Sequence, residues 1–310
     1  MSDRVGVVCN PTAGHGRAAR ARADVLAGIT ATGREALDLT GRDFAEGLAR
    51  ARAALADGLD AVVVVGGDGM VHLGANVVVG TGVPLGVVAV GSGNDIATAL
   101  GLPVHDVAAS VSVLQDTLGT GGRLIDAVAV SSPGEAASRW YVSSLCAGLD
   151  AAVADHAARL RWPRDGGRYV RAIFAELSAF RPYGFRITAD GETWEQDATL
   201  VTVSNTPLFG GGMRVAPDAV PDDGLLELVT ARGLPRHAVV RLFPLLFSGR
   251  HVHHPAVQVR RVRSVRIEPC TPLGANPPVA IVDGERLAAL PLQCDVHPRA
   301  LRVLAPTVEA

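Results

Sequence analysis

Four segments carry side chains suited to phosphate and a metal ion: Asn10-Pro11-Thr12-Ala13-Gly14, Thr40-Gly41, Gly66-Gly67-Asp68-Gly69 and Gly91-Ser92-Gly93-Asn94-Asp95. Glycine lets backbone N–H groups approach phosphate oxygens, and a helix starting at such a loop points its positive end at the anion. Asp68 and Asp95 place carboxylates inside two of these loops. Phosphoryl transfer needs acids for two jobs, holding Mg2+ and accepting a proton from the attacking hydroxyl. Asp95 also stands where a helix N-cap belongs, and capping alone would account for it. Two more acidic turns lie downstream, Pro221-Asp222-Asp223-Gly224-Leu225 and Val282-Asp283-Gly284-Glu285. Asp-Gly between strands is equally an ordinary hairpin signal.

The first 126 residues alternate strand, loop and helix. Strands are expected at Val5–Cys9, Glu35–Leu39, Asp60–Val65 and Leu85–Val88. Helices are expected at Arg17–Ala27, Phe44–Ala56, Met70–Val78 and Ile96–Leu100. Such repetition predicts a parallel, doubly wound sheet, and every loop above then follows a strand, at the rim where open α/β sheets bind ligands. Past Asp126 short strand-like runs recur: Val128–Ser131, Tyr141–Cys146, Gly184–Ala189, Thr199–Asn205, Leu225–Thr230, Ser264–Glu268 and Val279–Val282. Only two helical patterns, Arg168–Phe180 and Arg236–Phe247, interrupt them. The expectation is an α/β protein: a parallel doubly wound nucleotide-binding domain over 1–126 and a mainly antiparallel, β-rich domain over 127–297. Residues 298–310 are expected to return to the first domain, and the active site to lie in the cleft between the two.

Composition narrows the function. The chain has 310 residues, 48% of them hydrophobic and 19% charged, which is incompatible with disorder as the main state. A net charge of -2 gives no basic footprint for nucleic acid. The chain contains no lysine, which excludes P-loop kinases, protein kinases and pyridoxal enzymes, each of which needs one. Cys9, Cys146, Cys270 and Cys294 are too widely spaced for a zinc or disulfide framework and read as buried hydrophobes in a reducing compartment. No signal peptide and no membrane-spanning run is visible. No Gly-x-Ser-x-Gly elbow surrounds Ser143, Ser144 or Ser204, so a serine hydrolase is unsupported.

In order and spacing, Asn10-Pro11 with Gly14, Gly66–Gly69, Gly91–Asp95, Asp223-Gly224-Leu225-Leu226-Glu227 and Asp283-Gly284-Glu285 resemble the diacylglycerol kinase catalytic family, which includes bacterial lipid kinases and sphingosine kinases. The resemblance spans nearly the whole chain. It implies transfer of the ATP γ-phosphate to a lipid hydroxyl, most simply diacylglycerol to phosphatidic acid, with ATP and Mg2+ as cofactors. The nucleotide side would comprise Asn10, Pro11, Thr12, Gly14, Thr40, Gly66, Gly67, Asp68, Gly69, Gly91, Ser92 and Asn94. Asp95 would tie the nucleotide loop to the catalytic acids. Glu285 resembles the general base of the bacterial members, and Asp68 the acid given that role in the sphingosine kinases. Asp223, with the carbonyls of Val220 and Leu225, resembles a structural Mg2+ site, and Asp150 a substrate-facing position.

Met70 and Leu73 depart from the family, which usually has a hydroxyl or leucine at the first place and a glutamate near the second. Losing that glutamate would remove an acid near the metal and leaves open an inactive lipid- or nucleotide-binding relative. Two further readings stay open, an NAD-kinase-like enzyme and a sphingoid-base kinase. The expected partner is a lipid at a membrane surface, with the protein cytoplasmic or peripheral at the inner face; a homodimer is left open. Arg159, Arg161, Trp162, Arg164, Arg168 and Tyr169 mix cations with amphipathic aromatics, as suits an anionic bilayer. The stripe Leu242–Phe247 is open to two readings, contact with a membrane and, more commonly for such a stripe, the buried side of a helix. His251, His253 and His254 read as an exposed loop.

Overall fold

Residues 3–11, 13–135, 138–160 and 167–306 are described by the structure, a computed structural model. Thr12 and the stretch 161–166, with Arg161, Trp162 and Arg164, lie outside the described residues, as do the side chains of Arg168 and Tyr169. The chain divides into two units: Met1–Ala127 with His297–Ala310, and Val128–Val296.

In the first unit, runs of branched residues without polar alternation require burial on both faces. β1 (Arg4–Cys9), β3 (Ala61–Gly66) and β4 (Leu85–Ala89) meet that requirement, with Val5, Val7, Val62, Val63, Val64 and Val88 fully buried. With β2 (Glu35–Asp38) they form a parallel sheet in the order β2-β1-β3-β4. The interleaved helices are α1 (Arg17–Thr30), α2 (Phe44–Ala56), α3 (Asp68–Val78), α4 (Asp95–Ala99) and α5 (Val107–Thr117). Val25 and Ile29 of α1 pack with Leu114 and the sheet valines. Helix α5 has no counterpart in the sequence reading, which stops its last helix at Gly101. Its pattern is diluted by serines, and Asp106 starts it by accepting the Ala109 N–H at 2.9 Å.

The second unit is antiparallel. It contains the end of β5 (Arg123–Ser131), then β6 (Arg139–Tyr141), β7 (Ser144–Cys146), α6 (Leu149–Arg159), α7 (Gly167–Ala179), β8 (Tyr183–Ala189) and β9 (Glu192–Ser204). β10 (Leu226–Arg232), α8 (Arg236–Ser248), β11 (Val257–Val262), β12 (Ser264–Pro269), β13 (Ile281–Val282) and β14 (Glu285–Arg286) follow. β15 (Leu292–Val303) starts beside β12, and its far end, Val303, lies parallel to Leu85 in the first unit's sheet. Tyr141, Phe185, Ile187, Val203, Leu228 and Val265 share one core.

Helix α6 corrects the expectation of two helices. β9 begins at Glu192, not Thr199, because Asp190-Gly191 forms a hairpin turn with both φ positive, at 47° and 90°. The polar start of β9 hid it. Arginine-rich β11 was hidden in the same way. Helix α8 is a second correction. Only Val239 is buried on it, while Val240 and Phe247 are 50% and 49% exposed. No helix among the described residues is long and apolar enough to cross a membrane. The four cysteines are buried and unbridged, and burial pushes the thiols of Cys9 and Cys294 up to about 11 and about 12.

Candidate functional site

In a 2-1-3-4 sheet the strand order reverses between β1 and β3, and the region beyond the carboxyl ends of such strands is where open α/β sheets bind ligands. The loops leaving those strands begin at Asn10 and Gly67. Asn10 N–H donates to Val65 O at 3.1 Å, which joins the two strand ends. The loop after β4 comes so close that a Cβ on Gly91 would lie 2.4 Å from Gly67 Cα. Only glycine fits that contact. Asn94, at φ 60°, ties its own loop with Gly91 N–H to Oδ1 at 2.9 Å and Nδ2 to Gly91 O at 2.9 Å.

Asp95 does not cap α4. That role falls to Asp68 from the neighbouring loop, whose Oδ1 accepts the Ile96 N–H at 3.0 Å. The other carboxylate oxygens converge: a methyl on Gly93 would sit 2.9 Å from Asp68 Oδ2 and 3.8 Å from Asp95 Oδ2. Thr40 Oγ1 accepts the Cys9 N–H at 3.2 Å and retains its own O–H to donate. Arg17 was missed by the sequence reading. It is exposed at the start of α1, with Nε 3.0 Å from Gly14 O, and supplies a cation beside a loop that no lysine serves. Its signal was Gly14-His15-Gly16-Arg17. Leu73 is 1% exposed, so this position lies inside the first unit's core and not on the ligand rim.

In the second unit Val282-Asp283-Gly284-Glu285 is a tight hairpin with φ of 47° and 85° at its centre. Asp283 is buried and accepts the N–H groups of Val142 at 3.0 Å and Ser143 at 2.8 Å. Glu285 stands at the start of β14, paired through its backbone with Val282 and exposed, its carboxylate in no side-chain hydrogen bond or ion pair among the described residues. Asp150 lies in the first turn of α6. Its carboxylate accepts Gly148 N–H and Thr202 Oγ1–H, both at 2.9 Å, while burial holds its pKa above the usual carboxylate range.

Asp223 does not fit the expected Mg2+ site. Its Oδ1 accepts the Leu225 N–H at 2.9 Å and its Oδ2 is held by the Arg261 guanidinium. The Asp223-Gly224 segment is a turn leading into β10, not a hairpin tip. His251 is buried, not in an exposed loop, with Nε2 3.0 Å from Val215 O. No group of three or more metal-ligating side chains is assembled among the described residues.

Residues 4–125 match a family model described as the diacylglycerol kinase catalytic domain, and residues 143–305 one described as the YegS C-terminal NAD kinase beta sandwich-like domain. The chain is 36% identical over 308 residues to a Mycobacterium tuberculosis protein named diacylglycerol kinase, covering 98% of this chain and 95% of that one. It is 27% identical over 262 residues to a Stenotrophomonas maltophilia protein named probable lipid kinase YegS-like, covering 82% and 81%. The crystal structure of a putative diacylglycerol kinase from Bacillus anthracis shares the fold, with a TM-score of 0.76 at 20% identity over 98% of this chain and 97% of that one. Both halves and the full length therefore agree: the chain belongs to the diacylglycerol kinase family, alongside the YegS-like lipid kinases.

Proposed function

We propose that the protein is a lipid kinase that transfers the ATP γ-phosphate to a lipid hydroxyl, with diacylglycerol as substrate and phosphatidic acid as product. The observation that carries the reading is the convergence of Asp68 and Asp95 on Gly93, within glycine loops at the switch point of the sheet. Backbone amides of those loops, which Asn94 holds in place, together with Ser92, Thr40 and Arg17 orient the triphosphate. When bound, Mg2+ neutralises phosphate charge, and Asp68 Oδ2 and Asp95 would hold it. The lipid oxygen forms a bond to the γ-phosphorus as the bond to the bridging oxygen breaks, and ADP leaves. The hydroxyl proton passes to a carboxylate.

We assign that carboxylate to Glu285. It is exposed and its carboxylate makes no side-chain hydrogen bond or ion pair among the described residues, whereas Asp68 Oδ1 already caps α4. Asp150, its oxygens engaged by Gly148 and Thr202, shapes the acceptor side. Comparing kcat/KM for diacylglycerol and for a sphingoid base in identical mixed micelles tests the substrate. Diacylglycerol should be preferred by at least about tenfold, roughly 1.4 kcal/mol in transition-state binding. A reversed preference contradicts that assignment.

A lipid acceptor brings the enzyme to a bilayer, on the cytoplasmic face where ATP is found. Helix α8 supports this peripheral contact. Val240, Pro244 and Phe247 share one exposed face at i, i+4, i+7 spacing, exposed Arg236, His237 and Arg241 lie on the same helix, and it has no acid. This charge suits anionic headgroups. Sedimentation with phosphatidylglycerol vesicles should fall severalfold in Phe247→Ser/Arg241→Glu, with turnover of a short-chain soluble lipid unchanged. Equal sedimentation removes α8 from the account.

A further inference from the structure

We infer that the Arg261 guanidinium takes the place of a structural divalent cation at the turn entering β10, so that this part of the second unit folds without Mg2+. The resemblance to the family leads one to expect an ion held by Asp223 and the carbonyls of Val220 and Leu225. The residues present do not fit one. Mg2+ demands six oxygens at about 2.1 Å in near-octahedral array. The only carboxylate of that set has one oxygen on the Leu225 N–H and the other on Arg261.

Arg261 is set there by the sheet. On β11 it pairs directly opposite Glu227 of β10, and antiparallel partners hold their Cβ atoms about 5 Å apart. Its Nε lies 3.4 Å from Glu227 Oε1 while its Nη2 meets Asp223 Oδ2. One planar fork therefore bridges two carboxylates, a task suited to guanidinium and not to an ammonium point charge. The site needs positive charge. Glu227 is 5% exposed; burial holds its pKa above the ordinary value, Asp218 and Asp223 push the same way, and Arg261 opposes them. A divalent ion would have to displace the guanidinium from both acids or sit against its charge. The inference concerns the fold of one unit and stands whether or not the proposed reaction is correct.

The test is thermal unfolding of nucleotide-free protein in EDTA and in millimolar Mg2+, together with Mn2+ binding followed by paramagnetic relaxation. Wild type should unfold at the same temperature in both buffers. Arg261→Ala should lose several degrees in EDTA, because a buried carboxylate loses its partner, and Mg2+ should restore part of the loss. Arg261→Lys, which keeps charge without the fork, should fall between them. Wild type stabilised by Mg2+, or binding Mn2+, through a site that Asp223→Asn abolishes would overturn the inference. So would an Arg261→Ala protein as stable in EDTA as wild type. The two wild-type measurements decide the matter even if Arg261→Ala does not fold.

Discussion

Glu285→Gln should lower turnover by about 10²- to 10⁴-fold while leaving the ATP dissociation constant nearly unchanged. Glutamine keeps the shape and hydrogen bonding of the side chain but cannot take a proton. Glu285 is exposed at the start of β14, so the substitution leaves no buried group unpaired and the fold should be unaffected. Asp68→Asn should behave differently. Its retained amide oxygen can still accept the Ile96 N–H, so α4 stays capped, but the charge facing Asp95 across Gly93 is gone. ATP–Mg2+ affinity should therefore fall along with rate. The double variant should lose less than the sum of the two, because groups serving one transition state act as a unit. Loss of turnover alone in Asp68→Asn, with Glu285→Gln mild, would transfer the base role to Asp68.

Asp283→Ala should be among the most destabilising single changes in the second unit. It strands the Val142 and Ser143 N–H groups, both buried, at about 1–3 kcal/mol each. It also places alanine at φ 47°, a left-handed conformation that aspartate tolerates better. A fall in Tm of about 5–15 °C is expected, using about 2–4 °C per kcal/mol for a unit of this size. Asp283→Asn tolerates the turn and keeps one acceptor, so it should lie between. Because the same hairpin carries Glu285, turnover at a temperature where Asp283→Asn remains folded should fall too. Scanning calorimetry with a parallel assay checks both; an Asp283→Ala protein melting within a degree or two of wild type would show that the turn is held by other contacts.

The parallel half was legible because Val62–Val65 and Val87-Val88 have no polar face, so burial on both sides was their only option. The packing of the two glycine loops was legible for a related reason, since Gly67 and Gly91 are small where two backbones meet. What stayed hidden depends on partners distant in sequence. The Asp68 cap on Ile96 crosses 28 positions, and the Arg261 fork reaches Asp223 across 38. Helix α6 and strand β11 were missed because alanine-rich and arginine-rich segments show little hydrophobic period. Leu73 looked like a missing acid from its motif position, but α3 turns that position into the core. The α8 stripe is mixed, with Leu246 packed on the core and Phe247 exposed, because apolar spacing tells which residues share a face, not whether anything covers it.

The central claim is that the γ-phosphate reaches a lipid hydroxyl. Purified protein, given ATP labelled at the γ-phosphate together with Mg2+, a bacterial lipid extract and NAD, tests it in one reaction. Labelled product should partition into the organic phase, with the mass of phosphatidic acid, and should vanish with Glu285→Gln. Label appearing in NADP, or no labelled product from a protein that still binds ATP, would contradict the account.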